Sequence, residues 1–167
     1  MSHINDSLHD FYHIDWKQGL VDGSLLTSHY DVTLAAAASA FIGFTTGPDP
    51  VVLQSRIVDT DSDLYYIEIF EGGAYSVGAA LDQHRRNLIR DNTVGMFLDL
   101  RGGVTIDTPG ASVFTVNVLG VKNIVASDVT EAPSFIFKPS TVYYYLLRND
   151  SAQSRDFHFR LTHSKFS

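Results

Sequence analysis

Short runs of β-branched and aromatic residues, each closed by glycine, proline or a polar cluster, recur along almost the whole chain and limit what it can fold into. Strands of this length bury their apolar sides only when laid next to one another, so the pattern points to an all-β sandwich. The clearest pair is residues 51–58 and 64–70, separated by Asp59, Thr60, Asp61, Ser62 and Asp63, and its turn chemistry predicts an antiparallel hairpin. Side chains alternate along a strand, so Tyr65, Ile67 and Ile69 share one side and Leu64, Tyr66, Glu68 and Phe70 the other. The first set is the candidate core face. Gly72 and Gly73 free the backbone and end the run.

Similar runs lie on both sides. Residues 28–46 read as strand, small-residue loop, strand: Ala35, Ala36, Ala37 and Ala38 favour helix on propensity, but Phe41, Ile42, Phe44 and Thr45 are β-like and Gly47–Pro48 closes them. Residues 95–100, 104–107, 113–118 and 135–137 are further candidate strands between glycine and proline breaks. Residues 141–148 and 156–163 flank a polar loop and predict a closing hairpin, with Phe157, Phe159 and Leu161 on one face and His158, Arg160 and Thr162 on the other. Roughly eight to ten strands fit an antiparallel, jelly-roll-like β-sandwich.

Composition narrows the function. A chain of 167 residues with 44% hydrophobic residues is expected to form one core. A net charge of −7 argues against a general nucleic-acid or anionic-membrane binder, since both need a basic surface. Without cysteine there is no disulfide, thiolate nucleophile or cysteine zinc site. No apolar run approaches the ~20 residues that span a bilayer, and the polar start of the chain does not read as a signal peptide.

Residues 1–27 differ from the sandwich expected over 28–167, mixing His3, His9, His13 and several aspartates with Leu8, Phe11, Tyr12, Ile14 and Trp16. An N-terminal arm is the reading, with one short helical turn at Leu8, Phe11 and Tyr12, and with Trp16 packed on its own sandwich or on a neighbouring subunit. The basic cluster is His84, Arg85, Arg86 and Arg90, whose guanidinium groups suit carboxylates or a phosphate on a partner, or local pairing with Asp82 and Asp91. Phe11, Tyr12, Trp16, His84, Arg85, Arg86 and Arg90 are therefore the candidate partner-binding residues.

Asp59, Asp61 and Asp63 are spaced like the start of a calcium loop, but Leu64 and Phe70 stand where an EF-hand needs glycine and glutamate. His9 and His13 lack the intervening glutamate of a metalloprotease helix. No Gly-x-Ser-x-Gly elbow or phosphate-binding loop occurs, and Glu68 and Glu71 alternate in direction rather than forming a glycosidase pair. No enzyme, metal or cofactor is expected.

Four pieces together resemble the small β-sandwich decoration proteins, or cement proteins, of tailed bacteriophage heads. They are His29 with the strand after it and residues 41–45; the stretch YYIEIFEGG at 65–73; HRRN at 84–87; and FKPSTVYYYLLRN at 137–149 with the aromatic strand that follows. The chain departs from that pattern at His84–Arg85–Arg86, where such proteins often carry Asn-Arg pairs, and at Leu161–Thr162–His163, where they often end in Trp-Tyr-Glu. The resemblance implies a virion structural protein, assembled in the host cytoplasm, that binds the major capsid protein on the outer head surface and stabilises it by bridging subunits. A homo-oligomer, dimer or trimer, is the expected form. The alternative is a carbohydrate- or receptor-binding module of a phage tail or fibre, for which Tyr75, Tyr143 and Tyr145 read as exposed rings.

Overall fold

The structure, a computed structural model, describes residues 25–62, 64–85, 98–119 and 135–165. Its long strands are β1 (Leu26–Leu34), β2 (Ser39–Thr46), β3 (Val51–Thr60), β4 (Leu64–Glu71), β10 (Ala111–Leu119), β12 (Val142–Asn149) and β13 (Arg155–Lys165). Shorter ones are β5 (Ala74–Ser76), β6 (Ala79–Ala80), β7 (Gln83–Arg85), β8 (Leu98–Gly102), β9 (Thr105–Thr108) and β11 (Phe135–Phe137). No helix occurs among the described residues. One sheet has the order β11-β3-β13-β1-β7, the other β10-β4-β12-β2-β8-β6, and β5 pairs with β9 as a separate ribbon. All pairings are antiparallel.

Eight strands carry the jelly roll. Along the chain β1, β2, β3 and β4 alternate between the sheets, β10 stays beside β4, and β11, β12 and β13 alternate again. Both expected hairpins are therefore wrong. β3 pairs with β11 and β13, and β4 with β10 and β12, so residues 51–58 and 64–70 lie in opposite sheets. Likewise β12 and β13 do not pair. The physical reason is visible at 59–63, which has neither the glycine nor the asparagine that supplies the left-handed residues of a tight hairpin. Polar turn residues equally serve a corner that carries the chain across the sandwich. β1 also starts at Leu26, so Leu26 and Thr27 belong to the sheet.

The expected core face of β4 holds, and the face that alternation defines on β13 also proves to be inward. Tyr65, Ile67 and Ile69 are buried, as are Phe157, Phe159 and Leu161 on the opposing sheet. Phe44 is central, its ring 4.9 Å from Phe137, 5.3 Å from Tyr143 and 5.5 Å from Tyr145. Opposite Thr162–His163 the pairing of β3 skips Gln54, passing from Ser55 to Leu53. This bulge changes the parity of β3, so that Leu53 and Arg56 are both buried.

One end of the sandwich is tied by a side chain. Asn149 is fully buried and its Nδ2 donates to the carbonyls of Leu34, Ala35 and Gln153, while its Oδ1 accepts from the Ser151 amide and hydroxyl. It joins the β1–β2 turn to the β12–β13 turn.

Candidate partner-binding surface

Of the seven predicted contact residues, the structure describes His84 and Arg85; Phe11, Tyr12, Trp16, Arg86 and Arg90 lie outside the described residues. β7 is the edge strand beyond β1, with Arg85 opposite Leu26, His84 opposite Thr27 and Gln83 opposite Ser28. His84 is exposed, and its ring lies 6.4 Å from that of His29.

This corner opens onto the outer face of the five-stranded sheet. Register places His29 beside Arg160 and Ile57, Asp31 beside His158 and Asp59, and Thr33 beside Asp156. The His158 Nδ1 lies 2.9 Å from the Asp31 carboxylate, which raises the imidazole pKa above its ordinary value. Thr33 donates to Asp156 at 2.6 Å. Three carboxylates against one guanidinium make the face acidic around its histidines. These residues were missed as a group, although the alternation in β13 already set His158 and Arg160 apart; their assembly depends on β1 and β13 being neighbours.

On the other side of β7 is an open groove of about 630 Å³, lined by Thr45, Thr46, Gly47, Ala80, Leu81, Gln83, Leu98, Asp99 and Leu100. Gln83 spans the gap between the sheets, donating from Nε2 to the Leu98 carbonyl at 2.9 Å. Its Oε1 has no hydrogen-bond partner among the described residues.

The rings expected to hold a glycan are mostly elsewhere. Tyr143 and Tyr145 are buried in the core, which raises both phenol pKa values by desolvation. Tyr75, half-buried, lies on Gly43 so closely that a methyl group there would sit 2.8 Å from its ring. The partly exposed rings on the outer face of the six-stranded sheet are instead Phe41, Tyr66 and Phe70, with Phe70 stacked 4.8 Å from the buried Tyr144. The Arg148 guanidinium covers Tyr66 at 4.5 Å.

Residues from two of the sequence pieces meet at the other end of the sandwich. Glu71, from YYIEIFEGG, pairs with Lys138 at 2.5 Å and accepts from the Tyr143 hydroxyl at 3.1 Å. The Lys138 amide donates to that same hydroxyl at 3.0 Å. The hydrogen bond from Lys138 holds the Glu71 carboxyl below its usual pKa. Glu71, Lys138 and Tyr143 satisfy one another, which is the arrangement of a clamp. Asp61 is likewise paired, with Arg155 at 3.1 Å, while Asp63 lies outside the described residues.

No family model, no curated protein and no solved structure matches the chain.

Proposed function

We propose that the protein is a virion structural component, a decoration protein that binds the major capsid protein on the outer surface of a tailed-phage head and stabilises it by bridging subunits. The observation that carries this reading is the Glu71–Lys138–Tyr143 clamp, in which two of the sequence pieces behind the resemblance are bonded to each other in three dimensions. They are parts of one structural unit. The jelly roll and the edge strand β7, with exposed His84 and with Arg85 next in sequence, supply a scaffold with a polar contact edge. A capsid repeats one surface many times, so weak contacts there are multiplied by symmetry.

The test is reconstitution on heads stripped of the protein. Wild-type protein is expected to rebind and raise the heat resistance of the heads, while Trp16→Ala and the double change Arg85→Ala, Arg86→Ala each lower occupancy. Undiminished binding by both variants rules out these contact surfaces, and heads equally robust with and without the protein remove the stabilising role. The glycan reading retains one observation, the outer-face rings Phe41, Tyr66 and Phe70 beside Glu68 and Arg148. Binding on a glycan array without binding to heads would favour it.

A further inference from the structure

Among the described residues the two sheets have four edges, β11, β7, β6 and β10, and β6, with two residues, is short. Short edge strands are one of the ordinary protections against unwanted strand pairing. The fourth edge, β10, is nine residues long, with the sequence ASVFTVNVL. It contains no proline and no charged residue, in a chain of net charge −7. Among the described residues its one paired neighbour is β4. A bulge at Val113 interrupts the ladder near its start, and from Phe114 to Leu119 the register is regular. Val113 is 45% exposed, and Ile136 on the adjacent edge strand is 49% exposed.

We propose that two copies of the chain associate through β10, paired antiparallel about a two-fold axis, so that the six-stranded sheet continues from one copy into the other. An edge strand presents unpaired backbone donors and acceptors, and antiparallel pairing of a strand with itself is intrinsically self-complementary. The absence of charge on β10 selects a second copy over a partner recognised by ion pairs, because identical charged strands would repel across the axis. A register centred on Val116 sets Thr115 of each copy opposite Asn117 of the other. Both residues are exposed, so the two polar pairs form on the solvent side of the joined sheet. Val113 and Ile136 then add apolar surface beside the seam. This surface is distinct from the His84–Arg85 corner, which lies at the opposite edge of the sandwich.

Sedimentation velocity of the full chain over a dilution series tests the pairing. The wild-type protein is expected to sediment as a dimer that dissociates on dilution. The double change Thr115→Lys, Asn117→Lys places like charges opposite each other twice and should weaken the dimer by more than about tenfold, with an unchanged β-type circular dichroism spectrum. Ala36→Lys, in the exposed turn after β1, should leave the dimer intact. Because the chain has no cysteine, the double change Thr115→Cys, Asn117→Cys gives an independent reading: mild oxidation should link copies covalently, and Ala36→Cys should not. A wild-type protein that stays monomeric at every concentration overturns the proposal. So does a dimer unmoved by the lysines, or cross-linking that does not distinguish β10 from Ala36. None of these measurements involves heads, so failure here leaves the capsid reading to its own test.

Discussion

The side-chain amide of Asn149 donates to the carbonyl of Leu34 at 3.0 Å, across 115 residues of sequence and without solvent exposure. The same nitrogen serves the Ala35 and Gln153 carbonyls, so one side chain satisfies backbone groups of two turns. Asn149→Ala should lower stability by roughly 3 kcal/mol, since buried acceptors lose their donor and the Ser151 groups lose an acceptor. Asn149→Asp should cost more, because a carboxylate would face several carbonyl oxygens. Urea unfolding midpoints of the three proteins check both the size and the order.

Gly43 bears on how the β5–β9 ribbon sits on the sandwich. The Tyr75 ring occupies the space that a side chain at Gly43 would take, and its hydroxyl lies 3.3 Å from the Thr45 hydroxyl. Gly43→Val should displace the ring and destabilise the protein by about 1–3 kcal/mol through overpacking. Amide exchange should accelerate in residues 74–76 and 105–108 more than in β12 and β13. Uniform acceleration would mean that the ribbon is held by other contacts.

Faces were legible in the sequence where period two was clean. Tyr65, Ile67 and Ile69 on β4 could be assigned inward, and Phe157, Phe159 and Leu161 on β13 to one shared face, because one step along a strand reverses the side chain. Partners were not legible. A polar cluster between two β-rich runs specifies a change of direction, and only its geometry decides whether the chain returns in the same sheet or crosses to the other. For the same reason the Asp31–His158 contact, joining residues 127 apart, was hidden although both residues lay on recognised strands. The bulge at Gln54 was also out of reach, because it exists only in relation to β13.

Val77 is a β-branched residue with φ of 59° and 76% exposure. The left-handed region is costly for such a residue because its side chain crowds the backbone, and little burial offsets the strain here. Val77→Gly should therefore stabilise the fold by about 1 kcal/mol. Chemical denaturation reads this directly. A destabilised glycine variant would show that the valine side chain contributes packing that outweighs its backbone strain.

His163 is expected to make the fold less stable in acid. Its side chain is buried beside Phe44 and Phe137, its Nε2 has no hydrogen-bond partner among the described residues, and desolvation pushes its pKa down to about 3. The unfolded chain binds a proton near pH 6.5, whereas the folded chain resists it until about pH 3. Between those values the unfolded state carries more protons, so stability falls as pH falls, by up to about 1.4 kcal/mol per pH unit. Above pH 6.5 this contribution is flat. His158 acts in the opposite sense: Asp31 raises its pKa, so its stabilisation is present below the ordinary histidine value and fades as pH rises through the higher folded value. Glu71, with a lowered pKa, joins the acid loss only as pH falls through the carboxylate range. Among the described groups with a shifted pKa, the interval from about pH 6 to 5 therefore isolates His163. His163→Phe should flatten the stability profile there, measured by urea unfolding at closely spaced pH values, while His158→Ala should leave that slope in place. An unchanged slope in His163→Phe would assign the acid sensitivity to another group.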